Sequence, residues 1–273
     1  MVSHSSHVPG AGSASGTGAL PRSALLALWL RSSPPHGDDE GLARLLRAVQ
    51  RDDEPHVVTG ALGDVRLEDL TGAWAGDVRS VVALAPAPGD VTGVPPEVGP
   101  RATDVGECVV ATTSSGAWAL VPEVTEFGSE LEPGHLVSWH VTPVGPWATR
   151  VLGAVGTLPD AERELRTALL LATRALDDLD VARWREDAAD AIAGLRSGGA
   201  PAWQLPRDVD PRAVQVLTQA VRLRAIVDLA TADDGGAVNL WQADQRSTAL
   251  REVDRASRHA VGAATLWVPA ERA

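Results

Sequence analysis

LPDAERELRTALLLATRALDDLDVARWREDAADAIAGLRS, residues 158–197, is the stretch whose reading decides the fold. Leu165, Leu169, Ala172, Leu176 and Leu179 recur at helical spacing, so one helix face is apolar and has to be covered. Val181, Trp184, Ala188, Ile192 and Leu195 repeat the pattern after a short break, which predicts an antiparallel helix pair. Such a pair buries its stripes only against further helices or a sheet. Thr157, Leu158, Pro159 and Asp160 form a capping-box-like start with Pro in the first turn. Asp180 is the expected cap of the second helix, and Gly198 and Gly199 its stop.

Downstream, Asp210 and Pro211 open a third helix with the stripe Val214, Leu217, Val221, Ala225 and Leu229. A last helix is expected from about Ala237 to Leu266, with Leu250, Val253, Ala256, Ala260, Val261 and Ala264 facing inward. Residues 157–268 therefore read as a bundle of about four antiparallel helices.

Upstream the period changes from helix to strand. In HLVSWHVT, residues 135–142, Val137, Trp139 and Val141 alternate with Leu136, Ser138 and His140, so the first set faces a core. Residues 80–85 read as a strand stopped by Pro86 and Pro88, and 56–61 as a weaker one. Residues 107–112 and 117–121 flank a turn at Thr113–Gly116, a hairpin pattern. The expected fold class is α+β. Residues 22–150 form a half with a small antiparallel sheet of about four strands and two short helices, 23–31 (capped by Ser23) and 38–51. Residues 157–268 form the helical half, or continue one domain. Gly145 to Gly156 read as the linker between them, and the Ser/Gly/Ala-rich residues 1–21 as a disordered tail. The Pro- and Gly-rich run from Pro86 to Pro100 is a candidate binding or lid segment.

The chain has 273 residues, 44% of them hydrophobic, enough for a real core. Its net charge is −12, and all 24 basic residues are Arg. The acids outnumber Arg before and after Thr157 alike, which argues against nucleic acid and anionic membrane surfaces as partners. The single cysteine, Cys108, excludes an internal disulfide and a Cys-based zinc site, and sharing a strand with two valines it reads as an inert buried thiol. The longest apolar run near the N-terminus, Ala24 to Leu30, is too short to span a bilayer. A cytoplasmic location follows as the expectation.

Three groups carry chemical potential. The carboxylates Asp177, Asp178 and Asp180 sit at a predicted helix junction, but no Glu-x-x-His partner motif accompanies them, so no metal or cofactor is expected. His140 is the candidate general base, set against the commoner sheet-surface histidine. Arg251, Arg255 and Arg258 line one face of the last helix as candidate ligand-binding residues, or as ion-pair partners of the acidic helices.

PAPGD (Pro86 to Asp90), LDVARWRED (Leu179 to Asp187) and DDGGAV (Asp233 to Val238) resemble a group of conserved actinobacterial proteins with no assigned activity. The resemblance therefore implies no function. With no catalytic constellation among the motifs, the first expectation is a cytosolic, non-enzymatic interaction or regulatory protein with a protein partner. The alternative is an enzyme or small-molecule-binding protein, its pocket between the sheet and helical halves near His140, the Pro86–Pro100 loop and Arg255.

Overall fold

The computed structural model describes residues 18–32, 36–129, 132–178, 203–232 and 240–269. Its centre is a six-stranded sheet of β1 (Val57–Gly60), β2 (Val65–Arg66), β3 (Ser80–Leu84), β4 (Cys108–Thr113), β5 (Gly116–Ser129) and β6 (Glu132–Val144). The order across the sheet is β2-β1-β6-β5-β4-β3. All pairs are antiparallel except β1 with β6, which run parallel through Val57↔Ser138 to Gly60↔Val141. The class is α+β, but the expected antiparallel sheet of about four strands is corrected to a mixed one of six. β2 has two residues, too few to show an alternation. The direction of β1 is set by a partner far along the chain, which no local pattern encodes.

One face of the sheet presents Val81, Ala83, Val109, Ala111, Leu120, Trp139 and Val141 to a continuous apolar core. α1 (Arg22–Arg31) lies in that core, with every residue from Arg22 to Leu30 buried. An apolar helix without a polar face belongs in an interior. Ser23 does not cap it: the helix begins one residue earlier, and the Ser23 backbone N–H donates to Glu107 Oε2 at 2.9 Å. α2 (Asp39–Gln50) is amphipathic and is capped by Asp38, whose carboxylate accepts from the Gly41 N–H. α3 (Leu67–Ala73) follows β2 directly.

The second face carries Val82, Leu84, Cys108, Val110, Ala119 and Val121. It is covered by α4 (Gly99–Val105) and α5 (Ala148–Val155), together with Val94 and Val98 of the Pro86–Pro100 run. The expected linker at 145–156 is thus largely a helix. Trp147, Val151 and Val155, four residues apart, are its buried stripe, a signal masked by flanking glycines.

α6 (Leu158–Asp178) starts where expected, with Thr157 and Asp160 hydrogen-bonded reciprocally. The second member of the predicted pair, at Val181–Leu195, lies outside the described residues. α7 (Pro211–Ala232) and α8 (Leu240–Thr265) complete the helical part, with three helices described rather than four. These helices are not a separate bundle. Val253, Ala256, Ala260 and Val261 of α8 share the core of the sheet. The end of α8 is tied to β3: the Ala83 N–H donates to Thr265 Oγ1 at 3.0 Å, and Trp267 exchanges backbone hydrogen bonds of 2.9 and 2.8 Å with Val81. No described helix is long and apolar enough to cross a membrane.

Candidate functional site: a projecting arm and its polar root

The covering of the second sheet face stops short. β4 pairs with β5 only as far as Leu120, and β1 pairs with β6 only over residues 138–141. The β5–β6 ladder continues well past both, through Glu123↔Ser138 to Ser129↔Glu132. Residues 124–129 and 132–137 therefore leave the sheet as a two-stranded arm roughly 20 Å long. On one side of the arm lie Glu123, Thr125, Phe127, Gly134, Leu136 and Ser138; the other side carries Val124, Glu126, His135 and Val137. Phe127 is 45% exposed, Leu136 51% and Val57, on the neighbouring strand, 44%. These three lie on one face that no described element covers, as diagonal neighbours across the strands. A Cβ built on Gly134 would stand 2.4 Å from Phe127 Cζ, so it is the missing side chain that lets the ring lie over the opposite strand.

The arm is anchored by a buried polar centre around Asp53. Its carboxylate accepts from Arg22 Nε at 2.7 Å and Nη2 at 2.8 Å, a bidentate pair in which the side chains are 9% and 5% exposed. His56, fully buried, stands with Nε2 3.1 Å from the same carboxylate. The Trp139 indole N–H donates to His56 Nδ1 at 3.1 Å. An indole can only donate, so Nδ1 offers its lone pair and Nε2 carries the proton given to Asp53. His56 is therefore neutral, in agreement with burial pushing its pKa below the ordinary value. For Asp53, burial alone would raise the pKa; hydrogen bonds from His56 and Arg22 and the Arg22 charge outweigh it and hold it well below the usual carboxylate range. The other oxygen faces His135 Nδ1 at 3.3 Å, and the Glu54 N–H donates to the His135 carbonyl at 3.0 Å. His135 and Trp139 both belong to β6, so the arm is fastened to α1 and to the segment before β1 at its root.

The residues singled out from the sequence fall elsewhere, and the structure does not bring them together. His140 lies on β6, on the same sheet face as Leu136, with Nδ1 3.5 Å from Thr59 Oγ1. Arg258 is on α8, against the opposite face and beside β3, three strand spacings or roughly 14 Å across the sheet from β6. Its guanidinium is buried and donates to the Ala85 carbonyl at 3.1 Å, to Asp90 at 2.7 Å and to Asp254 at 2.7 Å. Arg255 pairs with Glu164 of α6 and Glu252, each at 2.9 Å, and Arg251 donates to the Ser247 carbonyl at 3.2 Å. Asp90 also stands 3.2 Å from His259 Nε2, so the Pro86–Pro100 run is latched onto α8 rather than left open. Burial would raise the Asp90 pKa, but Thr92 and Arg258 hold it down at about 2. Cys108 is fully buried, and burial pushes its thiol up to about 12. The side chains of Asp177, Asp178 and Asp180 lie outside the described ones. Among the described residues, no group of three or more His, Cys, Asp and Glu side chains is placed to hold a metal ion.

Sequence reasoning did not find the arm or its root. Glu, Gly and Pro in EVTEFGSELEPG (123–134) depress strand propensity, and Asp53 sits in the run RDDE, where a solvated face is the ordinary reading. A local signal for the arm is faint: Val124 and Phe127 are the only large apolar residues from 123 to 130, and they fall on opposite sides of the strand.

Neither the curated proteins nor the solved structures include a match to this chain. Two family models do match: the Rv1486c-like protein N-terminal domain over residues 23–152, and the Rv1486c-like protein C-terminal domain over residues 159–262. The first match ends within α5 and the second begins at the start of α6, and the two follow one another along most of the chain. The chain therefore belongs to the Rv1486c-like family.

Proposed function

We propose that this is a cytosolic, non-enzymatic interaction protein and that the β5–β6 arm is its docking element. The observation that carries the reading is the arm face that no described element covers, where Phe127, Leu136 and Val57 are all about half exposed on neighbouring strands. Phe127 is the only Phe in the chain. A large rigid aromatic presented on a projecting element is the kind of anchor that fills a partner's pocket. The anchored root supports the same reading, because a pre-organised element loses less entropy on binding. Filling of the sheet–helix interface by Val81, Ala83, Val109, Val253 and Ala260 argues against a pocket between those layers.

The test is a photo-crosslinking amino acid placed at Phe127 in the full chain in cells, with Leu152 on α5, 46% exposed, as the control position. A discrete adduct from Phe127 and none from Leu152 is expected. Equal adducts at both positions, or none above background, would sink the proposal.

A second reading, catalysis, is favoured by one observation. Asp53 orients His135 through Nδ1, and the His135 side chain is 31% exposed, which leaves Nε2 positioned to serve as a general base. Turnover of a substrate by the wild type that disappears in His135→Gln, with folding intact, would establish it.

A further inference from the structure

Between β3 and β4 the chain leaves the sheet for residues 86–106, the Pro86–Pro100 run and α4 together. The two ends of this excursion are neighbours, because Leu84 and Cys108 are register partners in the β3–β4 ladder. Among the described residues, each backbone hydrogen bond donated between Ala87 and Gly106 is accepted inside the same stretch. The series runs from the Ala87 N–H on the Asp90 carbonyl to the Gly106 N–H on the Ala102 carbonyl. A loop with adjacent ends and its own hydrogen bonds can move as a body without breaking a strand pair.

Its ties to the rest of the molecule are of three kinds. Asp90 accepts from Arg258 of α8 at 2.7 Å and stands 3.2 Å from His259, and all three side chains are largely buried. Two exposed contacts follow: the Gly145 N–H donates to Glu97 Oε1 at 3.0 Å, and Arg101 pairs with Glu123. Val94, Val98 and Ala102 pack into the cluster that holds Cys108 and Val121. Exposed pairs are worth little, so among the polar ties Asp90 carries most of the hold.

We infer that residues 86–106 form a lid that opens and closes as one unit over the second sheet face, with Asp90 as its latch on α8. Opening withdraws Val94, Val98 and Ala102 from Ala119 and Val121, which continue inward the face that carries Phe127. The lid goes beyond the docking reading and stands without it. Arg258 keeps the Asp254 carboxylate and the Ala85 carbonyl in either state, so lifting Asp90 does not strand its charge.

Cys108, the only cysteine of the chain and fully buried, reports the opening. The full chain is treated with N-ethylmaleimide under native conditions and the adduct is followed by mass spectrometry, with amide exchange measured in parallel. Cys108 is expected to react at least about tenfold faster than the unfolding constant from urea allows. The hydrogen-bonded amides of 87–106 are expected to exchange faster than those of 109–112 by a similar factor. Two variants separate the lid from unfolding of the whole chain. Asp90→Asn weakens the closed state alone and is expected to speed labelling at least about tenfold. Gly60→Ala acts on β1, three strand spacings from β4, whether the lid is open or closed. It is expected to lower the urea midpoint and leave the labelling rate unchanged. Glu97→Ala removes an exposed tie, is expected to speed labelling about threefold, and replaces Asp90→Asn if that variant does not fold.

Labelling that rises in Gly60→Ala in proportion to its lost stability would overturn the lid, because Cys108 would then react only through global unfolding. Exchange of the 109–112 amides in step with those of 87–106 would overturn it as well. A labelling rate unmoved by Asp90→Asn, or by Glu97→Ala in its place, would overturn the latch. A specific Phe127 adduct in cells without lid opening would remove the lid and leave the docking reading standing. Lid opening without that adduct would do the reverse.

Discussion

Replacing Asp53 with Asn is expected to cost about 3 kcal/mol of stability. Asn keeps the shape of the side chain, so no cavity opens, and what disappears is the charge. In the wild type a carboxylate with 5% exposed surface holds the Arg22 guanidinium through two hydrogen bonds of 2.7 and 2.8 Å. Removing one partner of a buried pair costs about 3–5 kcal/mol, because the other charge is left uncompensated. The Asn oxygen still accepts one hydrogen bond, which offsets about 1 kcal/mol and places the estimate at the lower end. Against a total stability of about 5–15 kcal/mol this is a large fraction. Urea unfolding followed by tryptophan fluorescence reads it as a lower midpoint at unchanged slope. The control is the double variant Arg22→Met with Asp53→Asn, which keeps an acceptor for the His56 Nε2 proton. It leaves no unpaired charge, so it is expected to be less destabilised than either single variant. If Asp53→Asn lies within about 1 kcal/mol of the wild type, the Asp53 centre does not bear the weight argued for it. Strict additivity in the double variant would refute the pairing argument in the same way.

Two further outcomes follow from the same geometry. Buried His56 has a folded pKa below its ordinary value, so below about pH 6.5 the unfolded chain takes up a proton that the folded chain refuses, and stability falls as pH drops. The depressed carboxyls of Asp53 and Asp90 act lower down. Their contribution is fully present above the ordinary value of 3.8 and is lost as pH falls, for Asp90 toward about 2. Urea midpoints measured from about pH 8 to 3 should decline in that order, and a midpoint unchanged between about pH 7 and 5 would contradict the neutral His56. At the end of β1, Gly60→Ala should cost at least about 2 kcal/mol, because its Cβ would stand 2.5 Å from the Val141 carbonyl oxygen at φ +97°. Gly89→Ala, also at positive φ (+82°) but with nothing within 4 Å, is the comparison, and equal losses in the same urea assay would refute the close-approach argument.

The local elements were largely legible because their causes are local. The stripe of α6 around Leu165, the Thr157–Asp160 cap, the Asp210–Pro211 start of α7 and the alternation around Trp139 report which side of a segment is buried. Where a residue type worked against its structure, the reading failed. Glycines at 145, 153 and 156 hid the Trp147, Val151 and Val155 stripe of α5, and Glu, Gly and Pro hid the outer half of the β5–β6 ladder. The candidate site was hardly legible. His135 stood out only as a strand histidine, and the sequence holds no cue that Arg22, Asp53, His56 and Trp139 would converge on one carboxylate.

By itself, then, the sequence determined the α+β class, the periods of the helices, most of their caps, and a net charge of −12. Only the tertiary structure decided that β1 would run parallel to β6, that α8 would be stitched to β3, and that the arm would be rooted on Asp53. The physical reason lies in range. A hydrophobic period records the environment of neighbours a few residues apart, whereas strand partners and buried charge centres join residues tens to hundreds of positions apart. Their energies exist only once the chain has brought them together.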